Sequence, residues 1–206
     1  MDLAALLRGD VRGIIESFGP LIGYIAVFGM VFLESGLLIG FFFPGDSLLF
    51  TAGLLASQGF FDIEILIIGC FLGAVIGDTI GYFIGYKLGR KLFQREDSLL
   101  FRKAHLIQAE VFYQKHGGKT IILARFMPVI RAFAPVVAGI GSMTYPTFVF
   151  YNLFGGFLWS AGLTLLGFYL GNSIPNIDRY LLPIIGLIVL ASISPAIYHV
   201  IKQKLL

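Results

Sequence analysis

IILARFMPVIRAFAPVVAGIGSM, residues 121–143, is apolar enough to enter a bilayer yet ill-suited to cross one as a helix. Arg125 and Arg131 would set two guanidiniums against lipid, and Pro128 and Pro135 remove helix donors and bend the chain. The segment is therefore predicted to enter the membrane and turn back, a re-entrant hairpin rather than a span. Around it lie five further apolar runs, 18–43, 43–61, 63–86, 147–170 and 180–201, against the roughly 20 residues that a crossing helix needs.

The composition leaves no room for a water-soluble globule. Of 206 residues, 57% are hydrophobic, 15% aromatic and only 13% charged, where a soluble domain carries about 25% charge. A net charge of +3 and a pI near 9.0 come from Lys/Arg runs between apolar stretches, which is membrane topology and not a nucleic-acid-binding face. Cys70 has no second cysteine to pair with and reads as a small packing residue. Residues 1–18 carry Asp2, Arg8, Asp10, Arg12 and Glu16, so no cleaved signal peptide is expected.

Charge placement then sets the topology. The amphipathic loop 87–119 holds eight Lys/Arg against three acids and should be cytoplasmic. Lys202 and Lys204 put the C-terminus on the same side, which requires an even number of crossings after the loop. Taking 121–143 as re-entrant satisfies this. On the other side of the loop, Pro44, Gly45 and Asp46, with Gly53 and Gly59, break 43–61 in the same manner. The expected fold is all-α and polytopic, with four spanning helices and two re-entrant hairpins in a single membrane domain, both termini cytoplasmic. Twelve of the fifteen Lys/Arg then lie inside, with Arg179 outside.

The halves also resemble each other. Each hairpin contains Ala-Gly, at Ala52-Gly53 and Ala138-Gly139, and each following helix ends in a related phrase, GYKLG at 85–89 and GFYLG at 167–171. Opposite hairpins in an inverted repeat meet near the midplane around a substrate site. Gly69, Gly73, Gly77, Gly81, Gly85 and Gly89 form a flat ridge for close helix packing. Neither these nor Gly139-x-Gly141 follows a strand as a phosphate-binding loop would.

Five ionisable side chains interrupt the apolar runs: Glu34, Asp46, Asp78, Arg125 and Arg131. At about 2.5–3.5 kcal/mol each, their gross insertion cost is on the order of 12–18 kcal/mol, so they should converge on one another or on water. Blander roles exist for some: Arg125 could snorkel to the interface, Asp46 could cap a helix, and Asp78 could orient one arginine. Glu34, mid-helix among Phe32, Leu33, Leu37 and Leu38, has no such local excuse.

Glu34, FFFPGDSLLFTAG at 41–53, GDTIGYFIGYKLGR at 77–90, RFMPVIRAFAPVVAG at 125–139, and then Asn152, Gly155 and Trp159 carry a resemblance to the bacterial DedA family of inner-membrane proteins. It implies a polytopic protein with two re-entrant hairpins, related to eukaryotic lipid scramblases. It also implies envelope maintenance dependent on the proton motive force and, in some members, return of the carrier lipid undecaprenyl phosphate across the membrane. By that resemblance Glu34 and Asp46 match the family's functional acids, and Arg125 and Arg131 its functional arginines.

The residues themselves suit a lipid phosphate, since two guanidiniums can make paired, charge-assisted bonds to it while its tail stays in lipid. Glu34, Asp46 and Asp78 would carry the coupling proton and Arg125 and Arg131 would bind the phosphate. Pro44, Gly45, Ser47, Pro128, Pro135, Asn152 and Trp159 would support them. The expected partners are a polyprenyl phosphate or phospholipid and protons, with no nucleic acid, metal or cofactor; monomer and homodimer both stay open. Phospholipid scrambling and proton-coupled antiport of a small cation are the rival activities. An enzyme is not expected, because His105, His116 and His199 are scattered and Ser47 has no histidine beside it.

Overall fold

The computed structural model describes residues 11–37, 45–89, 117–141 and 143–174, and every regular element among them is helical. In chain order these are α1 (Val11–Gly36), α2 (Gly45–Ser57), α3 (Ile63–Ile84), α4 (Lys119–Arg125), α5 (Pro128–Ile140) and α6 (Tyr145–Ser173). Pro44, Phe41–Phe43, most of the central loop, the three histidines and the run 180–201 lie outside the described residues, as do both termini.

Two described helices are long and apolar enough to cross a membrane. Ile63–Lys87 has 25 residues, about 37 Å at the α-helical rise, and Tyr145–Ser173 has 29, about 43 Å. They correspond to the expected runs 63–86 and 147–170. Asp62 starts α3 by accepting the amides of Glu64 and Ile65 on its carboxylate at 2.9 and 3.0 Å, an N-cap that satisfies two otherwise orphan donors. The end of α3 loosens into a π-helical turn, Gly85–Gly89.

The run 121–143 is not one helix. It breaks at Phe126–Met127, between the seven residues of α4 and the thirteen of α5, where Pro128 opens the second helix at a position that needs no amide donor. Thirteen residues reach about 20 Å, well short of the hydrocarbon core, and α2 has the same length. The described helix α1 covers 11–36, with Gly36 against the backbone of Gly77, and most of the rest of the expected run 18–43 lies outside the described residues.

The chain divides into two compact units: residues 1–30, 42–70 and 161–206 in one, and 31–41 and 71–160 in the other. In the first, Tyr24 packs on Phe61 with ring centroids 4.9 Å apart and its hydroxyl accepts the Asp62 amide, while Leu54 is buried beside Phe50 and Ile174. In the second, Tyr82, Ile121, Ala138 and Phe148 form a buried cluster, and the Tyr82 hydroxyl donates to the Met143 carbonyl, fastening the chain after α5 to α3.

Both units contain the same glycine contact. A Cβ on Gly139 would lie 2.1 Å from the Tyr82 carbonyl oxygen, and one on Gly85 would lie 2.0 Å from that of Val136. In the other unit a Cβ on Gly53 would lie 2.0 Å from the Thr164 carbonyl, and one on Gly167 would lie 2.0 Å from that of Phe50. Each glycine follows by three residues the carbonyl touched by its opposite number. The short helix of each half therefore packs on the long helix of the other, in one register, and the four glycines are those at which the sequence repeats.

Candidate functional site

The second unit gathers four of the five charges that interrupt the apolar runs. Glu34 comes from the last turns of α1, Asp78 from the middle of α3, Arg125 from the end of α4 and Arg131 from the first turn of α5. They meet because backbones approach closely. Gly77 lets α1 press on α3 so tightly that a Cβ there would lie 2.7 Å from the Phe32 carbonyl, and at Gly155 a Cβ would meet Ile122 and the Arg125 Nε.

Two ion pairs result, Arg131 with Glu34 and Arg125 with Asp78. Glu34 is 2% exposed, Arg125 4%, and the Arg131 side chain 12%. Arg125 also donates to the Asn152 Oδ1 at 2.5 Å, and the Asn152 Nδ2 donates to the Val75 carbonyl at 3.2 Å. Arg125 is thus tied to α3 and α6 together. Charges removed from water must find partners of this kind, since removing one member of a buried pair costs about 3–5 kcal/mol.

Trp159 completes the arrangement. Its ring centroid lies 4.8 Å from the guanidinium carbon of Arg131 and 5.8 Å from that of Arg125, both inside the range of a cation–π contact. Asn152, Gly155 and Trp159 follow at i, i+3 and i+7, so one face of α6 supplies an acceptor, a clearance and an aromatic plate. Ser35, Asp78, Arg125, Arg131, Pro135 and Trp159 line a cleft whose free space holds about one water molecule.

The expected convergence is thus present for Glu34, Asp78, Arg125 and Arg131. Asp46 and Ser47 belong to the first unit, in the opening turn of α2 after Gly45, with Ser47 buried and Asp46 half-buried. Pro135 lines the cleft, whereas Pro128 acts through the backbone by opening α5. The sequence alone marks Asn152 and Trp159 as supports without tying them to the arginines; their i, i+7 spacing on a helix is the available signal. Among the described residues no group of three or more His, Cys, Asp or Glu side chains could hold a metal ion.

The comparisons with known proteins fit this geometry. The VTT domain matches residues 43–169, well over half of the chain and all of the site except Glu34 and Ser35. The Escherichia coli (strain K12) protein DedA is 44% identical over 184 residues, covering 88% of this chain and 83% of that one. The chain belongs to the DedA family. An uncharacterized membrane protein of Mycobacterium leprae is 44% identical over 82% of this chain and 75% of its own length. The inner membrane protein YghB of E. coli K12 is 31% identical over 98% of this chain and 95% of its own. No solved structure matches the chain. Membership in the DedA family makes this a membrane protein, which its two long apolar helices already suggested.

Proposed function

We propose that this DedA-family protein carries a phosphate-bearing lipid, undecaprenyl phosphate foremost, across the bacterial inner membrane, coupled to the proton motive force. In this reading α2 and the α4–α5 pair are re-entrant, four helices span, and both termini and the central loop are cytoplasmic. It is a transporter without a cofactor, not an enzyme. The observation that carries it is the buried Arg131–Glu34 pair beside Arg125 and Trp159. A guanidinium fork binds phosphate oxygens as readily as a carboxylate, so a lipid phosphate can take the place of Glu34 on Arg131. A proton on Glu34 abolishes its charge and releases Arg131 to the phosphate; loss of that proton restores the pair and expels the lipid. The cleft, with room for about one water, accepts a headgroup only when this exchange opens it.

Cation antiport draws no support from the same geometry, because Glu34 and Asp78 are each committed to a guanidinium. Reconstitution into liposomes tests the reading: labelled undecaprenyl phosphate should cross faster than phosphatidylethanolamine, and small cations should not be exchanged. Cation exchange without lipid movement would reverse the assignment.

A further inference from the structure

The two arginines are held differently. Arg125 has two acceptors on two helices, Asp78 on α3 and Asn152 on α6, and Asn152 is itself anchored to the Val75 carbonyl. Arg131 pairs with Glu34, the carboxylate that the proposed cycle removes from it, and its guanidinium carbon sits 4.8 Å from the Trp159 centroid. When the carboxylate leaves, the contacts that remain must keep the fork of a side chain with several rotatable bonds aimed, and the indole face is one of them. A guanidinium lying on an indole face keeps its N–H edges free for an oxyanion while the face contact fixes its tilt. Trp159 is 2% exposed, so its own position is fixed by packing.

We infer that Trp159 is a positioning residue that holds the Arg131 guanidinium in the orientation required to bind a lipid monophosphate, and so sets the preference for that headgroup. This rests on the lipid-phosphate reading above. The ring also lies within reach of Arg125, so one electron-rich face moderates the repulsion between the two guanidiniums while Glu34 is away. The shared ligand chemistry is a phosphate with free oxygens, on a lipid or in solution, and the inorganic-phosphate arm of the test separates the two sources.

The test compares wild type, W159F, W159Y, W159L, R131K and W159L/R131K in liposomes, reading translocation of a labelled polyprenyl monophosphate and of phosphatidylglycerol, uptake of inorganic phosphate, and thermal melting in detergent. W159L should move the monophosphate about tenfold more slowly, the scale of a desolvated cation–π contact, while W159F and W159Y stay within about threefold of wild type. The preference for monophosphate over phosphatidylglycerol should fall with the rate. W159L/R131K should be no slower than R131K, since Trp159 acts through that arginine. A merely structural role would instead make rate follow melting temperature across the series and make the two substitutions multiply, and either result overturns the inference. Should W159L fail to fold, W159F and W159Y decide alone: rates within about threefold of wild type with the headgroup preference kept, whatever their melting temperatures, support an aromatic face as the positioning element, and a rate or preference that falls further, or that follows melting, overturns it. Wild type that moves the lipid while W159L matches it in rate and preference overturns the Trp159 role alone. Wild type that leaves the monophosphate behind, or takes up inorganic phosphate at the lipid's rate, overturns the lipid-phosphate reading and this inference with it.

Discussion

Asp78 and Arg131 show why a charge in an apolar run is visible in sequence while its partner is not. The cost of an unpaired charge guarantees that some partner exists, which is enough to expect Glu34, Asp78, Arg125 and Arg131 to meet. Which acid serves which base depends on helix packing, and the sequence offered Arg131 three candidates; the fold pairs it with Glu34 and gives Asp78 to Arg125. The pairing has a stability consequence. D78N keeps the shape of the side chain but leaves Arg125 buried without its counter-ion, so it should destabilise by about 3–5 kcal/mol, read as a large fall in melting temperature. Adding R125Q to D78N should recover part of that loss, because no buried charge is then orphaned. N152A, which removes one acceptor from Arg125 and one donor to Val75, should cost about 1–3 kcal/mol on the same assay.

Among the elements, the broken run 121–143 was legible from Pro128 and its two arginines, and it breaks at Phe126–Met127. The meeting of Gly36 with Gly77 was not, because it depends on how one helix packs on another. The repeat was legible as two Ala-Gly pairs and two short phrases, but its meaning was not. Only the fold shows that Gly53 and Gly139 each lie on a carbonyl of the opposite half's long helix. G53A and G139A should therefore destabilise to a similar extent, by about 1–3 kcal/mol or more, since a new methyl meets backbone that cannot rotate away. At Gly29 and Gly162 a Cβ meets nothing within 4 Å, and G29A and G162A should instead raise stability by about 0.5–1 kcal/mol through helix propensity. Melting curves of the four variants in one detergent decide between these outcomes.

For the whole molecule, membership in the DedA family and two membrane-length helices agree with a composition that excluded a soluble globule. The Lys/Arg distribution adds the direction. Single cysteines placed at Arg95 and at the C-terminus should resist a membrane-impermeant reagent added outside intact cells, whereas one at Asn176 should react; labelling at Arg95 would contradict the topology. The central claim is that Glu34 and a lipid phosphate alternate on Arg131, and one substitution that keeps shape and one that keeps charge separate that alternation from other uses of the same charges. The decisive measurement is translocation of labelled undecaprenyl phosphate by E34Q and R131K in liposomes, with and without a pH gradient. E34Q keeps the shape of the side chain without its titrating proton, so it should move the lipid at a rate indifferent to the gradient; R131K keeps the charge without the planar fork, so it should move at least tenfold less under both conditions. Normal, gradient-driven transport by R131K, together with loss of binding of a cationic substrate in E34Q, would contradict the account.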